Sequence, residues 1–202
     1  MKRRGAGTLS RADIGTKVLL QAWVQRRRDH GGVLFLDLRD RSGVAQVVAK
    51  PDESPAALAA LDPVRSEWVV EVEGTVIARE AEAVNPKMAT GEVEVLAERA
   101  VVLSKADPLP FAVDSRADVA EETRLKYRFL DLRRPELAKN FILRHEITHA
   151  VRGYFHEQGF LDIETPMLTK STPEGARDYL VPSRVHRGEF YALPQSPQLF
   201  KQ

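Results

Sequence analysis

The chain has 202 residues, a formal net charge of +1, 43% hydrophobic and 29% charged residues, and no cysteine. That composition fits a globular protein with a buried core. It excludes a disulfide framework or cysteine-based zinc site, and no apolar run nears the roughly 20 residues that span a bilayer. Charge is uneven, since residues 1–40 carry nine Lys and Arg against four Asp, which points to a phosphate-bearing partner or to a solvated face.

In chain order, residues 17–25 place Val18, Leu20, Ala22 and Val24 on one face, and "RRR" at 26–28 precedes the pair Gly31–Gly32. "VLFLDLRD" (33–40) follows with a leucine face, then "GVAQVVAK" (43–50), "WVVEVEGTVIAR" (68–79) with Gly74 as a bulge or bend, and "EVEVLAERAVVL" (92–103). Period-two alternation bounded by Gly, Pro and Asp predicts five strands. The Ala/Leu-rich "SPAALAALDPVRSE" predicts a short helix between the third and fourth. Five strands with that helix placement give an all-β OB-fold, a five-stranded Greek-key barrel whose strands 2 and 3 commonly bind oligonucleotides.

Pro108 and Pro110 in "SKADPLPFAVDS" break the pattern, so a linker or hinge is expected over 104–130, between a barrel domain at 1–103 and a second domain at 131–202. The stretch 117–136 is charged and partly helical in expectation. Leu143, Ile147, Ala150, Val151, Tyr154 and Phe155 recur at spacings of three and four up to Gly159, which predicts a long helix. "FLDIETPML", "DYLVPSRV" and "EFYALPQSP" then read as short strands of an α/β or α+β domain. His145, His149, His156 and His186 form no metal-ligand pattern, and none is assigned.

Phe35 falls opposite the leucine face of its strand, among charges. An aromatic there offers a stacking platform for a base, the upstream arginines can hold phosphates, and Gln46 on the next strand can bond a base edge. Equally, Phe35 could pack under a loop and the arginines be solvated. Asp37 and Asp40 read as turn organisers.

"AWVQRRRDHGGVLFLDLRDRSG" (22–43), "RLKYRFLDLRRPE" (124–136), "GFLDIETPMLTKSTPEGARDYLVPSRV" (159–185) and "FYALPQSPQLFKQ" (190–202) resemble bacterial aspartyl-tRNA synthetases over nearly the whole chain. The resemblance implies an OB-fold anticodon-binding domain followed by the start of an α+β class II catalytic domain, an antiparallel sheet with helices. It implies an aspartate–tRNA ligase using ATP and Mg²⁺, with L-aspartate and tRNA-Asp as partners, and a homodimer through motif 1 (the helix from about Phe141 and the segment to Pro166). It carries anticodon contacts to Arg28, Phe35, Gln46 and Glu94. Glu174 would take the aspartate ammonium. Ser196, Gln198, Leu199, Phe200 and Lys201 would line the aspartate pocket, with Lys201 on the side-chain carboxylate.

The chain departs from that family in two ways. The arginine-bearing motifs 2 and 3 of the ATP site are not present, so no catalytic residue is assigned, and the 202 residues alone are expected neither to bind ATP or Mg²⁺ nor to activate aspartate. His30 stands where leucine is usual in the discriminating bacterial members of the family, and Glu82 and Ala83 where lysine or asparagine often sits. These changes resemble members that also charge tRNA-Asn. A non-catalytic anticodon-binding module is the alternative reading, and a related synthetase for asparagine or lysine is disfavoured by the 172–184 loop. With no apolar leader behind the basic N-terminus, a cytoplasmic protein is expected.

Overall fold

The alternation of the first hundred residues folds into five strands in a computed structural model that describes residues 3–114, 118–171 and 178–202. They are β1 (Lys17–His30), β2 (Val33–Asp40), β3 (Gly43–Ala49), β4 (Val69–Ala78) and β5 (Val93–Ser104), in a closed barrel ordered β1-β2-β3-β5-β4. All neighbours are antiparallel except β3 and β5, whose parallel pairing Val47↔Val95 completes the OB topology. Inward-facing Leu20, Leu34, Leu36, Leu38, Val47, Val72, Val76 and Val95 are sealed from solvent. The helix α1 (Pro55–Leu61) adds Ala57 and Leu61 to them, with proline at its first turn where no amide donor is needed.

Two features of β1 aim the surface discussed below. Gly31 and Gly32, at φ of +61° and +87°, form the two-residue connection between His30 and Val33. That turn requires positive φ, which glycine adopts without a Cβ penalty. The second is a bulge: pairing passes from Val24↔Leu38 to Arg26↔Asp37, leaving Gln25 over. Strict alternation from buried Val24 would turn Arg26 and Arg28 inward, and the extra residue turns them out. The arginines expected upstream of a strand are therefore part of one.

Residues 105–114 and 118–134 belong to the same compact unit as the barrel. The Trp68 indole donates to the Ala106 carbonyl at 3.0 Å, the Lys105 ammonium lies 5.2 Å from the Trp68 ring, and Gln25 Nε2 donates to Asp114 at 2.9 Å. Phe111, Val113 and Leu130 form a small second core. Beyond them α2 (Glu121–Lys126) and α3 (Arg128–Asp131) are tied by Asp131, wholly inaccessible and within 3.0, 2.6 and 3.7 Å of Arg124, Arg128 and Arg134. The Arg124 hydrogen bond foremost, with the three positive charges, holds the Asp131 carboxyl below the ordinary aspartate value against the opposing effect of burial. Compact units divide the chain after Pro135.

The second unit holds nearly all of α4 (Pro135–Glu157), then the antiparallel pair β6 (Tyr179–Pro182) and β7 (Phe190–Leu193), and the short α5 (Gln198–Lys201). The periodicity of α4 shows as a helix, yet none of its residues is buried. "FLDIETPML" (160–168), expected as a strand, forms none; the neighbouring ladder contact is the single bridge Thr169↔Ala192. A strand needs a partner for its backbone groups, and Pro166 removes one donor, so this apolar run stays irregular and open to solvent.

Candidate nucleic-acid interface

The bulge, the Gly–Gly turn and the β3–β5 pairing bring the four expected anticodon contacts, Arg28, Phe35, Gln46 and Glu94, together with Asp37 on the outer face of the barrel. Arg28 pairs across β1–β2 with Phe35, and Asp37 pairs across β2–β3 with Gln46. Arg28 Nη2 donates to Asp37 at 2.6 Å and to Gln46 Oε1 at 3.2 Å, while Gln46 Nε2 donates to Glu94 at 2.6 Å. The amide of Gln46 is therefore held in one orientation by a cation on its oxygen and a carboxylate on its nitrogen. One N–H and one lone pair remain for a ligand.

Phe35 is half-buried rather than freely exposed, because the His30 ring meets it edge-on at 5.9 Å. Phe35 and His30 both line a cavity of about 350 Å³ that also touches Arg26, Arg28, Asp37 and Gln46. The far wall comes from the segment after β4, with Ala83, Asn85 and Met88. Glu82 is exposed beside Ala83.

Sequence reasoning missed Arg79 and misread Asp37. Asp40 does organise a turn, accepting from the Ser42 amide at 2.7 Å and the Ala6 amide at 2.8 Å. Asp37 instead neutralises Arg28. Arg79 is buried; its Nε donates to the Val93 carbonyl at 3.0 Å and lies 4.0 Å from Glu94. Burial pushes the Arg79 guanidinium below the ordinary arginine value, opposed by the Glu94 and Asp37 carboxylates. It remains a cation, and it steadies the carboxylate that orients Gln46. The signal available in the sequence was its place at the end of β4, next to the strand carrying Glu94.

The expected aspartate-pocket residues lie apart from this surface in the chain. Ser196 Oγ accepts from the Gln198 amide at 3.2 Å at the start of α5, which carries Gln198, Leu199, Phe200 and Lys201, all exposed. Glu174 lies outside the described residues. Among the described residues no group of three or more His, Asp or Glu side chains is placed to hold a metal ion. Among them, too, no helix is long and apolar enough to cross a membrane.

Comparison with known proteins agrees with this geometry. Residues 18–103 match the family of OB-fold nucleic acid binding domains, and residues 120–202 match class II tRNA synthetases (D, K and N). The fold recurs in a putative aspartyl-tRNA synthetase from Leishmania major (TM-score 0.81, 25% identity, all of this chain and 40% of that one). It recurs also in asparaginyl-tRNA synthetase from Pyrococcus horikoshii (TM-score 0.81, 22% identity, 99% and 44%). The class II tRNA synthetases are thus what residues 120–202 are similar to, after an OB-fold nucleic acid binding domain at 18–103.

The particular relatives are more similar still. An aspartate–tRNA ligase of Geobacillus kaustophilus is 60% identical over 196 residues, which is 97% of this chain and 33% of that protein. An aspartate–tRNA(Asp/Asn) ligase of Syntrophotalea carbinolica is 59% identical over the same share. The chain is similar to these aspartate–tRNA ligases over nearly its whole length, and it spans about a third of the length of the curated relatives it matches.

Proposed function

We propose that the barrel reads the anticodon of tRNA-Asp for an aspartate–tRNA ligase. That enzyme activates L-aspartate with ATP and transfers it to the 3′ end of the tRNA in the cytoplasm. The observation that carries the reading is the Gln46 amide, fixed between Arg28 and Glu94 beside the Phe35 ring. Its free N–H and lone pair match the O4 and N3–H of a uracil stacked on Phe35, the central letter of the aspartate anticodon GUC. Arg26 and Arg28 on the outer face supply phosphate contacts.

Glu174, Ser196, Gln198, Leu199, Phe200 and Lys201 form part of the aspartate pocket on this reading, with Lys201 selecting the carboxylate. Mg²⁺ acts with ATP in the parent reaction. The described residues supply no ligand cluster for it, and no step is assigned to side chains of this chain. Barrel at 1–103, connector at 104–130 and catalytic portion at 131–202 are the corresponding domains, and a homodimer through α4 is the expected assembly.

His30, Glu82 and Ala83 make the reading of the third letter permissive. His30 spends its ring against Phe35, and Ala83 offers the cavity no side-chain hydrogen bond. The relative named for both tRNAs fits that view. The test is binding of the 202-residue chain, at fixed moderate salt, to stem-loops bearing GUC, GUU and a scrambled triplet. Comparable GUC and GUU binding above the scramble supports the whole reading. GUC far above GUU removes the permissive third letter, and three equal affinities remove the anticodon assignment.

A further inference from the structure

α4 is a long helix none of whose residues is buried, and residues 145–149 within it read His-Glu-Ile-Thr-His. Read along the chain, those two histidines form no ligand set. Wound at about 3.6 residues per turn, positions i and i+4 stand on one side of the helix with Cβ atoms about 5–6 Å apart. The two imidazoles are near-parallel, 14° between their planes, with ring centroids 6.3 Å apart. With bonds of about 2.0–2.1 Å to a nitrogen of each ring, one ion between them needs the rings only about 1 Å closer. Exposed side chains make such a shift by rotamer change.

The neighbours leave the pair free to take a cation. Arg152, three residues beyond His149, is paired with Asp162 at 2.8 Å, and the Thr148 hydroxyl donates to the Arg144 carbonyl at 2.9 Å. Glu146 lies three residues before His149, near enough on a helix to add negative charge beside it, whereas Arg144 and His145, adjacent in sequence, do not face each other. At about 100° per residue, half-exposed Leu143, Ile147, Val151 and Tyr154 form a stripe centred about 180° from the histidine pair. A second copy covering that stripe leaves the pair accessible.

We propose that His145 and His149 form a two-histidine site for one borderline divalent cation, of the Zn²⁺, Ni²⁺ or Cu²⁺ kind, and that the ion staples α4. Imidazole nitrogen suits those ions, while Mg²⁺ and Ca²⁺ prefer oxygen. Among the described residues no third His, Asp or Glu joins the two, so water takes the remaining positions. The site therefore binds an ion and is assigned no hydrolysis, since an H-E-x-x-H protease centre draws a third ligand from elsewhere in its chain. The staple matters because α4 receives little stabilisation from burial. An ion held by both rings favours the closed turn 145–149 over the opened one, which cannot hold them together. At free ion ten times its Kd, the opened population falls about tenfold.

The test is calorimetric titration of the 202-residue chain with Zn²⁺, and with Mg²⁺ for comparison. Zn²⁺ should bind saturably, one per chain. His145→Ala or His149→Ala should each lower the affinity by about tenfold or more, while His156→Ala and His186→Ala leave it unchanged. All four positions are exposed, so the fold tolerates these changes. His149→Ala combined with Ala150→His keeps the number of histidines but moves one ring off the shared side, and should lose the binding too. Amide exchange at residues 149–153 supplies the second readout: it should slow about tenfold at free Zn²⁺ ten times the Kd, and not respond in His149→Ala.

Binding that survives both single substitutions, falls equally in His156→Ala or His186→Ala, or is matched by Mg²⁺ overturns the site, as does a titration without saturable binding. Retained affinity in the His149→Ala/Ala150→His variant overturns the helical pairing. Saturable binding at the pair with unchanged exchange at 149–153 overturns the staple. The anticodon reading rests on other residues and stands or falls separately.

Discussion

At the scale of single residues, the candidate surface works because each polar group has its direction imposed by another. Gln46 is fixed by Arg28 and Glu94, and Glu94 lies beside buried Arg79. Phe35 is the exception, an apolar ring in T-shaped contact with His30. Stacking contributes about 1–3 kcal/mol per base, so Phe35→Ala should weaken binding of the GUC stem-loop by roughly 5- to 150-fold. Because the ring carries no charge, the slope of log affinity against log salt should stay unchanged, whereas losing a phosphate-binding cation lowers it by about one. Titrations of both proteins at three salt concentrations separate the cases, and a changed slope in Phe35→Ala would show that the ring had been positioning the arginines instead. Phe35 and Gln46 were legible from strand phase plus residue type. Arg79 was not, since an arginine at a strand end normally reads as solvated, and only the chain folding back over it buries the guanidinium.

At the scale of elements, the barrel was legible because inward positions alternate along β2 and β4 and from Lys17 to Val24 of β1. What alternation cannot show is where it slips. Gln25 looks like one more outward polar residue, yet it is the surplus residue that rephases β1 and turns Arg26 and Arg28 outward. The expected strand over 160–168 fails for the complementary reason: pattern reports which face is apolar, while a strand exists only if a partner takes its hydrogen bonds. Gly74 was read correctly as a bulge, and pairing between β4 and β5 does shift between Glu73 and Gly74. A Cβ at Gly74 would come 2.2 Å from the Leu96 carbonyl oxygen, a backbone atom that cannot rotate away. Gly74→Ala should therefore destabilise the barrel by about 1–3 kcal/mol, the ordinary range for overpacking. Urea denaturation followed by tryptophan fluorescence reads this from Trp23 and Trp68, both in the barrel unit. A midpoint equal to wild type would mean the β4–β5 pairing adjusts freely.

At the scale of the whole molecule, the two units differ in how much apolar surface they hide. The first encloses the barrel core and the Phe111–Val113–Leu130 cluster; in the second, among the described residues, Ala192 is the only fully hidden hydrophobic. Ile147, Val151, Phe155, Phe160 and Leu161 are each about half exposed or more, so α4 and the run after it present a continuous apolar surface. Burial of such side chains supplies most of the free energy that holds a helix in a fold, and α4 receives little of it. Local opening should then be easy beyond Pro135 and costly before it. Limited proteolysis of the 202-residue chain should cut within 136–202 first and leave a resistant fragment ending near residue 135, which retains binding to the GUC stem-loop. That endpoint has a specific cause. Ala106 is held by Trp68, Arg133 by Glu67 and Trp23, and residues 124–134 by the buried Asp131, so cleavage should not occur at the proline-rich segment 105–114 where composition alone suggests a loose connection. Early cleavage between 105 and 114 would show that these contacts are too weak to hold the segment on the barrel, and equal resistance across 136–202 would show that the apolar face of α4 is covered in solution.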